Sequence, residues 1–341
     1  MFRILGIALA GGKFHTGHAV RLVNLYQQAP EEFSTDLAIV TDLENLPLPP
    51  GSGKPELIPF DSVASASLHL SRTIAKANPD AVLFDCLSEL ADLKTEIAKK
   101  IPTIVFDDDS RRCDGISILV NAVLGDWNGG ISRQDNGIVA TGPEFVVIPQ
   151  GIGAARRKRS FSKGINLLVS LGGADPTRST LRVLQALERS LQDSEGISPQ
   201  GMHRLSVLVL ASRDHPDYAV ICERMRRFGW NLGWGVDIVS VLRWADLAIT
   251  GGGMTALECA SAGVPSLVIP ARNHERRTAE LLAERGCAAV FDPDLPEKLD
   301  LAINSFLLST GKLEAMAKAG PAVVDGRGAD RIWELIRGLF R

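Results

Sequence analysis

Short, almost uninterrupted apolar runs recur along this chain, and longer segments of helical period separate many of them. That alternation is the signature of parallel βαβ units with helices on both faces of a sheet. The strand-length runs in the first half are Arg3–Ala10, Asp36–Thr41, Ala81–Asp85, Thr103–Asp107 and Ile118–Asn121, and those in the second are Ile165–Leu171, Leu205–Ala211, Leu247–Thr250, Ser266–Ile269 and Ala288–Phe291. Helical stretches near Ala19–Gln28, Ser62–Ala77 and Glu89–Lys99 lie between several of the first set. Continuous apolarity in place of alternation predicts strands buried on both sides.

The scheme runs twice, and Pro149-Gln150-Gly151-Ile152-Gly153 punctuates the repeat, followed by Arg156-Arg157-Lys158-Arg159. Glycine and proline followed by a charge cluster read as a solvated interdomain linker. The expected architecture is α/β with two Rossmann-like parallel-sheet domains, residues 1–150 and 151–341, and a cleft between them. The last helix is expected to pack back on the first domain. A second stretch, Gly125–Pro143, lacks periodicity and reads as loop.

Composition narrows the function. A net charge of −3, from 37 Lys plus Arg against 40 Asp plus Glu, supplies no basic field, so a nucleic-acid partner is not expected. No run approaches the ~20 apolar residues of a membrane span, and stable membrane insertion is not expected. The apolar start Ile4–Ala10 is too short for a signal peptide and reads as the first strand. Five scattered cysteines, with no CxxC spacing, argue against a disulfide framework or zinc site and favour a cytoplasmic protein. With no HExxH and no clustered carboxylates, no metal and no cofactor are expected; Asp107-Asp108-Asp109 reads as an exposed acidic turn.

In open α/β sheets ligands bind beyond the carboxyl ends of the strands, so the loops there hold the candidate chemistry. Gly11-Gly12-Lys13-Phe14-His15-Thr16-Gly17-His18 follows the first strand and opens a helix, but its spacing is not the dinucleotide fingerprint. His18 falls on the first helical turn, where the dipole favours a neutral imidazole able to take a proton; a capping or exposed histidine is the alternative. Gly172-Gly173-Ala174-Asp175 forms a second strand-to-helix junction. The third, Thr250-Gly251-Gly252-Gly253-Met254-Thr255-Ala256-Leu257-Glu258, presents glycine backbone at a helix N-terminus suited to a diphosphate. Thr255 and Glu258 also fit a capping box; the alternative for Glu258 is a ribose diol. One unit further on, Asn273 and His274 occupy the corresponding position.

Gly17-His18-x-x-Arg21, Ser170-Leu171-Gly172-Gly173-Ala174-Asp175-Pro176, the GGGMTALE loop, Gly142-Pro143-Glu144-Phe145 and Asp325-Gly326-Arg327-Gly328-Ala329 together resemble the PseG-type UDP-sugar hydrolases, which share the GT-B fold with MurG-type glycosyltransferases. The resemblance implies release of UDP from UDP-2,4-diacetamido-2,4,6-trideoxy-β-L-altropyranose in pseudaminic acid biosynthesis, with His18 activating water and inversion at the anomeric carbon. It further implies that Glu258 holds the ribose, that Gly252, Gly253, Met254 and Thr255 offer backbone to the diphosphate, and that Gly17, Arg21, Gly172, Gly173, Asn273 and His274 line the substrate site. The chain departs from the pattern at Ala8, Leu9 and Ala10, where an Arg-x-Asp stretch is usual, at Cys86, since a Tyr often follows the Asp85 equivalent, and at His274, where Gln is common. Two further readings stay open: a MurG-like transferase using a UDP-sugar donor, and a non-catalytic nucleotide-sugar binding module. Oligomeric state is not legible.

Overall fold

A computed structural model of the 341-residue chain describes residues 1–11, 16–43, 46, 48–49, 51–86, 90–106, 115–123, 129–134, 137–161, 164–172, 175, 177–193 and 205–341. The chain divides into two compact units, Met1–Gln150 together with Gly326–Arg341, and Gly151–Asp325.

The first unit contains β1 (Phe2–Ala10), α1 (Gly17–Tyr26), β2 (Phe33–Thr41), β3 (Glu56–Pro59), α2 (Val63–Ala77), β4 (Ala81–Asp85), α3 (Ala91–Ala98), β5 (Thr103–Phe106), β6 (Ile118–Asn121), β7 (Gly130–Gln134) and β8 (Gly137–Thr141). Its eight-stranded sheet has the order β3-β2-β1-β4-β5-β6-β8-β7. Every pair is parallel except β7 with β8. The order runs outward one way from β1 through β2 and β3, then resumes on the other side with β4. That reversal leaves the carboxyl ends of β1 and β4 side by side, with Ala8 paired to Asp85, and such a switch point is where open sheets place ligands. Leu5, Ile7, Leu9, Val82, Phe84 and Val105 join Leu70 and Ile74 of α2 in a continuous apolar core. Burial of Ala8, Leu9 and Ala10 at the end of β1 gives the departure there a packing role.

The final helix, α11 (Gly328–Gly338), belongs to this unit. Its Trp333 is buried, donates its indole N–H to the Leu25 carbonyl at 2.9 Å and packs on Phe33 with ring centroids 4.9 Å apart. A buried indole needs such an acceptor, because an unmatched N–H would carry a desolvation cost.

The second unit contains β9 (Ile165–Ser170), α4 (Ser179–Asp193), β10 (Leu205–Leu210), α5 (Tyr218–Phe228), β11 (Asn231–Gly233), α6 (Ile238–Trp244), β12 (Leu247–Thr250), α7 (Met254–Ala262), β13 (Ser266–Val268), α8 (Asn273–Glu284), β14 (Ala288–Val290), α9 (Leu299–Leu308) and α10 (Thr310–Val323). Its six strands are all parallel in the order β11-β10-β9-β12-β13-β14. Here the switch point lies between β9 and β12, where Ser170 pairs with Thr250. Leu167 and Val169 of β9 and Leu247 and Ile249 of β12 pack with Val183, Leu184 and Leu187 of α4 in its core. No described helix is long and apolar enough to cross a membrane.

Two expectations are corrected. The stretch Gly125–Pro143 is not all loop, because Gly130–Gln134 and Gly137–Thr141 pair as antiparallel strands at the sheet edge. The basic cluster is not a solvated linker either. Arg157 donates to the carbonyls of Arg243, Trp244 and Ala245 and to Asp246, while Arg159 donates to those of Leu242, Ala245, Ala262 and Ala155. Arg156 reaches the Ser261 and Asp325 carbonyls. Guanidinium forks thus satisfy the unpaired carbonyls that end α6 and α7, where a cation also complements the helix dipole. Burial lowers the Arg159 pKa to about 10.

Candidate active site

In the first unit, β1 and α1 bring His18 to the switch point, and β4 ends on Asp85. The two meet there: His18 Nδ1 lies 2.7 Å from Asp85 Oδ1. Arg21, one turn along α1, donates from Nε to Oδ2 and from Nη2 to Oδ1, both at 2.6 Å. Its guanidinium also lies 4.7 Å over the Phe106 ring. Asp85 is fully buried, whereas the His18 side chain keeps 16% of its surface exposed. Burial alone would raise the Asp85 pKa, but Arg21 and then His18 hold it below the ordinary carboxylate value. An ionised carboxylate only accepts hydrogen bonds, so it holds the imidazole proton on Nδ1 and leaves Nε2 as the proton acceptor.

Gly17 begins α1 and is exposed. Gly12, Lys13, Phe14 and His15 lie outside the described residues, as do Asp107, Asp108, Asp109 and Cys113. Cys86 is buried, and its carbonyl accepts the Lys94 ammonium at 2.9 Å.

In the second unit, Gly172 follows β9 at φ 91°, a left-handed conformation that favours glycine, and a Cβ there would meet open space. Gly173 lies outside the described residues. Beside this turn, the Gly251 N–H donates to the Ser170 carbonyl at 3.1 Å. Gly252 has a packing reason to be glycine: a Cβ would stand 2.3 Å from the Glu275 carbonyl oxygen. Gly253, the N-cap of α7, has an extended backbone and open space where a Cβ would be. Helix α7 then starts at Met254.

The expected capping box is not the helix start, since the cap falls on Gly253 and no side chain bonds it. Glu258 lies in the second turn and is buried, and no hydrogen bond to its carboxylate is found among the described residues. Burial raises its pKa to about 7. Asn273 and His274 begin α8, and Glu275 Oε2 accepts the Ala271 N–H at 2.8 Å; the Asn273 and His274 side chains lie outside the described set.

The structure therefore gathers the candidates into two groups: Gly17, His18 and Arg21 in the first unit, and Gly172, Gly252, Gly253, Met254, Thr255 and Glu258 in the second. Sequence reasoning missed Asp85 as the partner of His18. Its signal was an acidic residue at the carboxyl end of a buried strand.

Two Rossmann-like parallel-sheet units of this topology define the GT-B fold. Residues 235–329 match the family model described as the glycosyltransferase family 28 C-terminal domain. The spore coat polysaccharide biosynthesis protein SpsG of Bacillus subtilis is 27% identical over 287 residues, 79% of each chain. The UDP-N-acetylglucosamine--N-acetylmuramyl-(pentapeptide) pyrophosphoryl-undecaprenol N-acetylglucosamine transferase of Pseudomonas fluorescens is 28% identical over 198 residues, 55% of this chain and 51% of that enzyme. Among solved structures, Acinetobacter baumannii MurG superposes with a TM-score of 0.63 at 14% identity, covering 99% of this chain and 100% of that one. A UDP co-structure of S. aureus MnaA gives 0.65 at 12% identity, over 100% and 97%.

Proposed function

We propose that the chain moves the sugar of a UDP-sugar to an acceptor hydroxyl with inversion at the anomeric carbon. The observation that carries this reading is the family 28 match over 235–329, because that stretch contains Gly251–Gly253, the start of α7 and the buried carboxyl of Glu258. Backbone N–H groups at Gly252, Gly253, Met254 and Thr255 hold the diphosphate at a positive helix end. Glu258 accepts hydrogen bonds from the ribose hydroxyls, and Gly172, Gly173, Asn273 and His274 border the pyrophosphate and sugar. His18 Nε2 takes the proton of the attacking hydroxyl, the new bond forms at the anomeric carbon, and UDP departs with the electron pair of the broken C–O bond. Gly17 and Arg21 set the position of that base.

A second reading, in which water is the acceptor and the substrate a UDP-diacetamido-trideoxy-hexose, is favoured by the Gly17-His18-x-x-Arg21 motif. One experiment separates them: UDP release from UDP-N-acetylglucosamine and from UDP-2,4-diacetamido-2,4,6-trideoxy-β-L-altropyranose is followed with and without added sugar acceptors. Release only with acceptor supports transfer, and release in buffer alone supports hydrolysis. UDP binding with no turnover under any condition would sink both and leave a binding module. His18→Ala is expected to keep UDP binding and lose turnover.

A further inference from the structure

The second unit holds a ring of hydrogen-bonded side chains, buried at Asp175, His215 and Asp217 and open to solvent at Arg178, that the reaction outlined above does not use. Between β9 and α4, Asp175 has φ 32° and Arg178 has φ 53°. Non-glycine residues adopt such backbone only where their surroundings enforce it, and enforced strain concentrates at functional turns. The enforcing contacts close on themselves. The Asp175 carboxylate accepts the N–H groups of Ser179 and Thr180, the first residues of α4, at 2.9 and 2.7 Å. His215 Nε2 lies 3.3 Å from Asp175 Oδ2, and His215 Nδ1 accepts the Asp217 N–H at 3.0 Å. That second bond fixes the tautomer: Nδ1 is an acceptor, so Nε2 carries the proton and donates it to Asp175. The Asp217 carboxylate takes the Arg178 guanidinium through Nε at 2.8 Å and through Nη2. Arg178 closes the circuit by donating its N–H to the Asp175 carbonyl at 2.9 Å.

A helix cap needs only Asp175 and its two N–H partners. Here a buried imidazole and a buried second carboxylate are added, and His215, Asp175 and Asp217 are all buried. Asp175 stands three residues along the chain from Gly172, where an added Cβ would meet open space, close to the β9/β12 switch point at Ser170 and Gly251. We infer that His215 is a positioning residue for nucleotide-sugar binding: the ring it completes fixes Asp175 and the start of α4, three residues along the chain from Gly172 at the end of β9. His215 itself touches no ligand. This inference rests on the nucleotide reading given under Proposed function.

The test measures UDP affinity by calorimetry on the full chain and on His215→Gln, Arg178→Ala and the double variant. Glutamine can reach Asp175 or Asp217 but cannot bridge both. The Arg178 side chain is 62% exposed, so its removal opens the ring from the solvent side without a core cavity, and thermal unfolding checks that both variants fold. Each single variant is expected to weaken UDP about tenfold, and KM for a turned-over UDP-sugar should rise with kcat little changed. A closed ring predicts that the double variant loses about the same factor as either single one. Amide exchange at Ser179 and Thr180 should quicken in both single variants with no ligand present. Faster exchange with unchanged UDP affinity would overturn the inference and reduce the ring to a helix cap, and losses that multiply in the double variant would also overturn it. Wild-type protein that binds no UDP would sink the nucleotide reading itself, and this inference with it.

Discussion

His18 Nδ1 and Asp85 Oδ1 stand 2.7 Å apart, and the same carboxylate receives the Nε and Nη2 donors of Arg21. Asp85 thus serves one neighbour as an orienting acceptor and the other as a counter-ion. Removing its charge would break the buried ion pair with Arg21, at a cost of about 3–5 kcal/mol by analogy with broken buried ion pairs. Asp85→Asn is therefore expected to unfold at lower denaturant and to lose turnover, because an amide no longer fixes the imidazole proton on Nδ1. The pH dependence has a definite sign. A carboxyl held below its ordinary value of 3.8 contributes stability that is present above that value and is lost as pH falls through the native one. Denaturant titrations between pH 7 and the acid limit should show the gap between wild type and Asp85→Asn narrowing below about pH 4. A gap that stays constant through the acid range would refute the assignment.

Glu258 carries the opposite shift. Burial raises its pKa from 4.5 to about 7, so the ionised form costs native stability as pH rises from the lower value to the upper one. The Glu258→Gln variant should gain stability over wild type across that interval, by an amount on the order of 3 kcal/mol above neutral pH, and the two should converge near pH 4. Hydrogen bonds from a ribose diol favour the carboxylate, so UDP binding should release a proton near pH 6 and tighten as pH rises toward 7. Calorimetry in buffers of different ionisation enthalpy detects that proton. Binding with no proton release in wild type would remove Glu258 from the ribose.

Arg159 donates to five backbone carbonyls, and a charge-assisted bond of this kind contributes more than a neutral one. Arg159→Ala should lower stability by about 2–3 kcal/mol through the carbonyls left unpaired at the ends of α6 and α7. Lysine should restore little of it, since an ammonium cannot span the directions that the planar fork covers. Thermal melts of the two variants check this, and a full rescue by lysine would show that charge alone matters.

The buried centre of each sheet was legible because burial on both faces writes itself as an apolar run: Ala81–Asp85 is strand β4 and is buried along its whole length. Edge strands carry no such signature. Three of the four residues of β3 are exposed, as are four of the five of β7, and backbone pairing holds them in the sheet. The basic cluster misled for a related reason, since charge density does not reveal carbonyls waiting at two helix ends 83 to 105 residues away. At the candidate site, the glycine turns and His18 were visible as local patterns. The acids that orient the histidines were not, because Asp85 is 67 residues from His18 and Asp175 is 40 from His215. Such pairings exist only once each sheet brings the ends of neighbouring strands together, β1 with β4 for His18 and Asp85 and β9 with β10 for Asp175 and His215.

The two glycines before α7 should separate packing from binding. At Gly252 an added Cβ meets the Glu275 carbonyl oxygen at 2.3 Å and its carbon at 2.7 Å, and backbone cannot yield as a flexible side chain does. Gly252→Ala should push the start of α8 away and destabilise the second unit by about 1–3 kcal/mol, the range for overpacked sites. At Gly253 the backbone is extended and nothing lies within 4 Å of the new methyl. Gly253→Ala should therefore fold, losing at most about 1 kcal/mol for an alanine at a helix N-cap. The same methyl would occupy the open side of a turn proposed to receive a diphosphate, so UDP affinity should fall by about tenfold or more, a loss of roughly 1.4 kcal/mol in binding. Denaturant melts and UDP calorimetry on both variants read the two effects independently. A Gly253→Ala protein that binds UDP as wild type does would place the diphosphate elsewhere on the unit.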